Sequence, residues 1–183
     1  HVAGTAFSAG GISMLTARHY LVRISPLLVL FCLGCERPSS EVQATNKELL
    51  REVYAAIDRQ DYDRLGELIS EDVVLHYIGI PEPLGRDALF ELIREFYAAF
   101  PDYTHAVHEM VAEGNRVAVR LTFDATHRGE FEGIAPTGKR VSYAGMHIAT
   151  IVDGVMEEWW GLEDNLGLMT QLGMQLTPAE PQT

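Results

Sequence analysis

Asp164, His147 and His127 are the side chains whose types and settings suit proton transfer. Taking a proton from a carbon beside a carbonyl needs a base poised near working pH, and desolvation in an apolar pocket moves a carboxylate toward that range. Asp164 stands just before Leu166-Gly167-Leu168-Met169, so the same carboxylate also suits a helix N-cap, accepting from free backbone N–H groups. Both readings stand, and one residue can serve both. Glu163 beside it reads as a solvated charge at the helix start.

His147 shares a strand face with Tyr143, Gly145, Ala149 and Ile151. From there it either orients or protonates a carbonyl oxygen, or is a satisfied histidine of the sheet. His127 continues the apolar alternation Val117, Val119, Leu121, Phe123, Ala125, which turns it inward. His76, in Val74-Leu75-His76-Tyr77, is a candidate substrate-binding residue of the same cavity, but apolar residues lie on both faces, so its direction stays open. Tyr54, Phe96, Phe123 and Met146 either wall a pocket for a flat hydrophobic ligand or belong to the core. Trp159 and Trp160 are consecutive on a strand, so one faces in and the other out, as pocket, core or interface aromatics.

Other chemistries lack their residues. His105 and His108 are three apart on a strand and point to opposite faces, and no ligand spacing for a metal occurs. The glycines are scattered turn residues, with no nucleophile elbow, P-loop or dinucleotide fingerprint.

The elements that must position these side chains follow from periodicity. Thr45-Asn46-Lys47-Glu48 offers a capping box, and Leu49, Leu50, Val53, Tyr54 and Ile57 form a helical stripe. Asp61 to Ser70 repeats the device in short form, Asp72 to Ile78 reads as a strand, and Pro81 to Gly85 as a loop. A third helix is expected over about Arg86 to Phe100, stopped by Pro101-Asp102. The period then changes to two: strands Tyr103 to Ala112, Arg116 to Thr126, Val141 to Val152 and Val155 to Trp160 follow in hairpin succession. Asp164 to Gly173 closes the domain as a short C-terminal helix. The fold class is α+β: a cone-shaped barrel of a curved antiparallel sheet closed by N-terminal helices, whose inside is an apolar pocket.

At 183 residues with 47% hydrophobic and 22% charged side chains, the chain suits one domain. The net charge is −12, and past residue 35 there are 12 basic residues against 26 acidic ones, which argues against nucleic acid or anionic lipid as a partner. Residues 1–13 are patternless and read as upstream sequence. From Met14 a basic stretch (Arg18, Arg23) precedes the apolar run Pro26 to Leu33 and Gly34-Cys35, the order of an export signal too short to span a bilayer. Leu33-Gly34-Cys35 resembles a bacterial lipobox. It implies lipid attachment at Cys35, a tether over 36–45, a domain over 46–173, a tail over 174–183 and a periplasm-facing site; a mis-called start would leave the protein cytoplasmic.

Across Asn46 to Gly173 the chain resembles the SnoaL-like polyketide cyclase (ester cyclase) family of the nuclear-transport-factor-2-like superfamily. The motifs are Ala99-Phe100-Pro101-Asp102, Val111-Ala112-Glu113-Gly114, Thr126 to Phe131, Pro136-Thr137-Gly138-Lys139-Arg140 and Asp164-Asn165-Leu166-Gly167-Leu168-Met169 with Gln171-Leu172-Gly173. The resemblance implies a homodimer packed through the sheet and no metal or organic cofactor. It also implies an acid/base carboxylate at Asp164 and places Trp160 at the family's tryptophan, among the substrate-binding residues. Three functions are expected to compete: an acid/base enzyme acting on a small hydrophobic carbonyl compound, a lipoprotein of the same fold that binds such a ligand without turnover, and a purely structural lipoprotein whose pocket is filled by side chains.

Overall fold

The computed structural model describes residues 40–175. Its elements are α1 (Ser40–Asp58), α2 (Tyr62–Leu68), β1 (Ile69–Tyr77), α3 (Arg86–Ala99), β2 (Thr104–Glu113), β3 (Arg116–Thr126), β4 (Arg140–Val152), β5 (Val155–Glu163) and α4 (Asn165–Leu172). The signal-like segment and Cys35 lie outside the described residues. Ser40 to Thr45, which the sequence suggested as tether, are helical, and Thr45 Oγ1 donates to the Glu41 carbonyl instead of capping. A hydroxyl inside a helix bonds back to the carbonyl four residues earlier in this way.

The expected α+β class holds, with helices against a curved, unclosed five-stranded sheet. The strand order is β1-β5-β4-β3-β2. Four strands pair antiparallel in hairpin succession, as their alternation foretold. The sheet is nevertheless mixed, because β1 pairs parallel with β5 through Val74↔Glu158 to Tyr77↔Gly161. Those partners are over 80 residues apart, and no local pattern encodes their pairing.

Period-two alternation decides the two faces of the sheet. On β3 Val117, Val119, Leu121 and Phe123 are buried; on β4 Val141, Tyr143, His147, Ala149 and Ile151 are buried. The helices cover this inner face, α1 lying on β2 and β3. Gly145 makes room for one ring in that layer: a Cβ there would meet the Phe123 ring at 2.5 Å.

The difference from expectation with the largest effect is the length of β5. It continues three residues past Trp160, pairing Met146↔Leu162 and Gly145↔Glu163 with β4. Trp159, Gly161 and Glu163 therefore share the inner face, while Trp160 and Leu162 share the outer one.

Candidate active site

Between the inner face of the sheet and α3 lies a cavity of about 680 Å³. Its lining is mostly apolar and includes Ile57, Leu89, Ile93, Phe96 and Trp159, with Tyr77, Tyr97, Tyr103, His105, His147 and Glu163 as the polar groups inside. An apolar chamber with a few convergent polar groups is the usual form of a small-molecule site.

Glu163 is the carboxylate of this chamber. Its side chain is 15% exposed, and Oε1 lies 3.4 Å from Nε2 of His147, whose side chain is 1% exposed. The other ring nitrogen, Nδ1, is 2.9 Å from the Tyr54 hydroxyl. Burial holds the Tyr54 phenol well above its ordinary range, so it stays protonated, and its hydroxyl is assigned as the donor to Nδ1 because that turns the imidazole N–H toward the Glu163 carboxyl. The neutral imidazole then carries its hydrogen on Nε2, aimed at Glu163. No regular hydrogen bond forms between them, and Nε2 has no hydrogen-bond partner. Burial lowers the His147 pKa, and the opposing pull of Glu163 is the smaller influence, which keeps the ring neutral at pH 7. Tyr77 packs its ring across Gly161, where a Cβ would stand 3.1 Å from two ring carbons.

A second imidazole faces the same space. His105 on β2 receives both oxygens of Asp58, the last residue of α1: Oδ1 is 2.6 Å from Nδ1, and Oδ2 accepts from the His105 backbone N–H at 3.3 Å. Tyr54 and Asp58 are one helical turn apart, so α1 supplies a partner to each of the two histidines.

The sequence-based assignments divide on this geometry. His147 and Phe96 line the cavity as expected. Asp164 does not: it is exposed, and its carboxylate accepts from the Gly167 backbone N–H at 2.8 Å as the N-cap of α4. The carboxylate inside is its neighbour Glu163, which the sequence presented as solvated. Ending β5 at Trp160 hid the parity that turns Glu163 inward.

His127 faces inward but stays outside the cavity lining, because the loop to Lys139 folds over it. The His127 N–H donates to the Lys139 carbonyl, Gly138 N–H donates back, and Thr137 N–H donates to Nδ1 at 3.2 Å. His76, Met146 and Trp160 sit on the other side of the sheet. His76 stacks on Trp160 with ring centroids 3.9 Å apart, and Met146 is 57% exposed. Tyr54 and Phe123 are buried core behind the cavity wall; Tyr54 acts on the site through His147. His105 and Asp58 were missed as a pair because only the packing of α1 on β2 brings them together. Among the described residues no group of three or more His, Cys, Asp or Glu side chains is placed to hold a metal ion.

The family model of the SnoaL-like polyketide cyclases matches residues 47–172. This chain belongs to the SnoaL-like polyketide cyclase family. Among curated relatives of this SnoaL-like protein is aklanonic acid methyl ester cyclase DnrD of Streptomyces peucetius, 28% identical over 137 residues that cover 71% of this chain and 92% of DnrD. Among solved structures, IdmH of Streptomyces antibioticus, a proposed polyketide cyclase, aligns with a TM-score of 0.65 at 30% identity, covering 70% of this chain and 99% of IdmH. AclR of Streptomyces galilaeus, a proposed hydroxylase, aligns with a TM-score of 0.67 at 34% identity, covering 74% and 86%. The described residues of this SnoaL-like domain contain no helix long and apolar enough to cross a membrane.

Proposed function

We propose that this SnoaL-like protein is an acid/base enzyme that takes a proton from the carbon beside a carbonyl group of a small hydrophobic compound, in a cyclase, isomerase or hydrolase type of reaction. Glu163 is the base, His147 is its neutral positioning partner, and the apolar chamber holds the substrate. One observation carries this reading: the only ionisable carboxylate facing the interior, among the described residues lining the cavity's sheet wall, lies 3.4 Å from a buried imidazole. The rim carboxylates Glu95, Glu130 and Glu132 are exposed to water by contrast. A carboxylate base in an apolar chamber suffices for α-proton abstraction, and a curated relative is an ester cyclase.

The test is exchange of the α-hydrogens of 2-tetralone in D₂O, followed by NMR. The wild type is expected to exchange them faster than buffer does, and Glu163→Gln to lose on the order of 100-fold. Undiminished exchange in that variant would remove Glu163 from the reaction. A protein that binds 2-tetralone and never exchanges it would instead be the ligand-binding form of this fold.

Two further parts of the reading concern assembly and location. The outer face of the sheet presents Val111, Met146, Ile148, Trp160 and Leu162 as one exposed apolar patch, which supports a homodimer through the sheet. The Met14 to Cys35 order supports export and a lipid anchor facing the periplasm. In bacteria given an alkyne-tagged fatty acid, label is expected on the wild type and absent from Cys35→Ala; an unlabelled wild type would defeat the anchor.

A further inference from the structure

His105 is held differently from His147. Asp58 grips it at two points, the imidazole Nδ1 at 2.6 Å and the backbone N–H at 3.3 Å, which fixes both ring rotation and tautomer. The ring stands among Tyr54, Tyr103 and Phe123, with centroids 5.1 to 5.2 Å away, and its side chain is 5% exposed. Burying an imidazole is costly, and this ring lines the cavity, while Asp58 behind it keeps 26% of its side chain exposed. Among the described residues no protein group engages Nε2 of His105. His147, by contrast, has Nδ1 committed to Tyr54 and Nε2 turned to Glu163. Nε2 of both rings lacks a protein hydrogen bond, but that of His147 is turned to Glu163 at 3.4 Å, which leaves Nε2 of His105 as the one with no protein group opposite it among the described residues.

We propose that His105, oriented by Asp58, is the second catalytic residue of the cavity and serves the oxygen of the carbonyl that is attacked, while Glu163 serves the α-carbon. This rests on the proton-abstraction reading above and equips the site for hydrophobic β-hydroxy ketones and the dicarbonyl compounds that close to form them. In the closing direction Glu163 takes the α-proton, and the freed electron pair forms the bond to the second carbonyl carbon. The π pair of that carbonyl moves to its oxygen, which takes the proton from Nε2 of the His105 imidazolium. Asp58 stabilises the imidazolium before the transfer and keeps the tautomer afterwards. In the opening direction neutral His105 takes the hydroxyl proton, the carbon–carbon bond breaks toward the enolate, and protonated Glu163 returns a proton to carbon. One proton enters and one leaves at each turn, and solvent resets both residues.

Two probes separate the two roles. 2-Tetralone exchange needs only the base; opening of 4-hydroxy-4-(6-methoxy-2-naphthyl)-2-butanone, which releases a fluorescent aldehyde, needs both groups. For His105→Gln the expected result is a fall in kcat for the opening reaction of on the order of 100-fold. The tetralone exchange rate is expected to fall by a much smaller factor, because no attacked carbonyl oxygen takes part in it. Asp58→Asn is expected to lower the opening reaction in the same direction and to shift its pH profile. An opening rate unchanged in His105→Gln, or an equal fall in both reactions, would overturn the proposal, the second result marking a merely structural role. A wild type that exchanges tetralone but does not open the hydroxyketone also overturns it while sparing Glu163. A wild type that does neither overturns both. Should His105→Gln not fold, His105→Ala assayed with added imidazole decides: a rate that rises with imidazole supports proton transfer at this position, and a flat response refutes it.

Discussion

Trp159 and Trp160 are covalent neighbours that live on opposite sides of one sheet. Trp159 is buried against His147 at 4.8 Å between centroids, with Tyr54 and Tyr77 beyond it; Trp160 is 48% exposed and stacks on His76. The same division separates Glu163, inside, from Asp164, outside. Aromatic rings, a histidine and carboxylates occur on both faces. What differs is enclosure: the inner face is roofed by helices and has a cavity, whereas the outer one is open and apolar. Enclosure, more than residue type, sets the two faces apart.

Cutting each tryptophan back tests that division most strongly. Trp159→Ala is expected to destabilise the fold by about 3–5 kcal/mol, the cost of emptying a large core site. Trp160→Glu is expected to leave denaturation of the monomer nearly unchanged and to abolish self-association in sedimentation experiments. A stable dimer in Trp160→Glu would give the outer face another role.

A smaller effect concerns the buried imidazole. Burial lowers the folded-state pKa of His147, so the unfolded chain takes up its proton first as pH falls. The stability associated with a neutral His147 is therefore complete above about pH 6.5 and is lost as pH drops from there toward the lowered folded value. Urea titrations of His147→Gln are expected to show a shallower loss between about pH 7 and about pH 5 than the wild type. An equal slope would mean that other groups carry the acid sensitivity.

The smallest effect belongs to Asp164. Asp164→Ala removes the acceptor for the Gly167 N–H and is expected to cost about 1 kcal/mol in urea titration. Tetralone exchange should stay near the wild-type rate, in contrast to the loss in Glu163→Gln. Loss of exchange in a folded Asp164→Ala would return the catalytic carboxylate to the outside position.

Most of the framework was legible because it is local. The turn Asp153-Gly154, the alternation from Val117 to Ala125 and the stripe on α3 each state their element within a dozen residues. The site was less legible because its decisive facts are non-local. The end of β5 depends on partners in β4 and on β1 arriving in parallel, and one misplaced strand end moved the carboxylate from Glu163 to Asp164. The enclosure of His127 depends on the backbone of Lys139 and Gly138 coming back over it. The Asp58–His105 pair spans 47 residues and two element types. Alternation alone turned His147 and His127 inward correctly, because a long strand with an apolar face fixes parity by itself.

The last turn of α1 holds Tyr54 on one histidine and Asp58 on the other. The two contacts are thus two teeth of one gear. A single residue inserted between them would turn one tooth by about 100° relative to the other and disengage a histidine. An axial slip of the whole helix would release both together. A shift of the helix therefore moves both imidazoles' partners together, whereas a substitution at Tyr54 or Asp58 changes one alone, and the spacing of four residues links the two contacts.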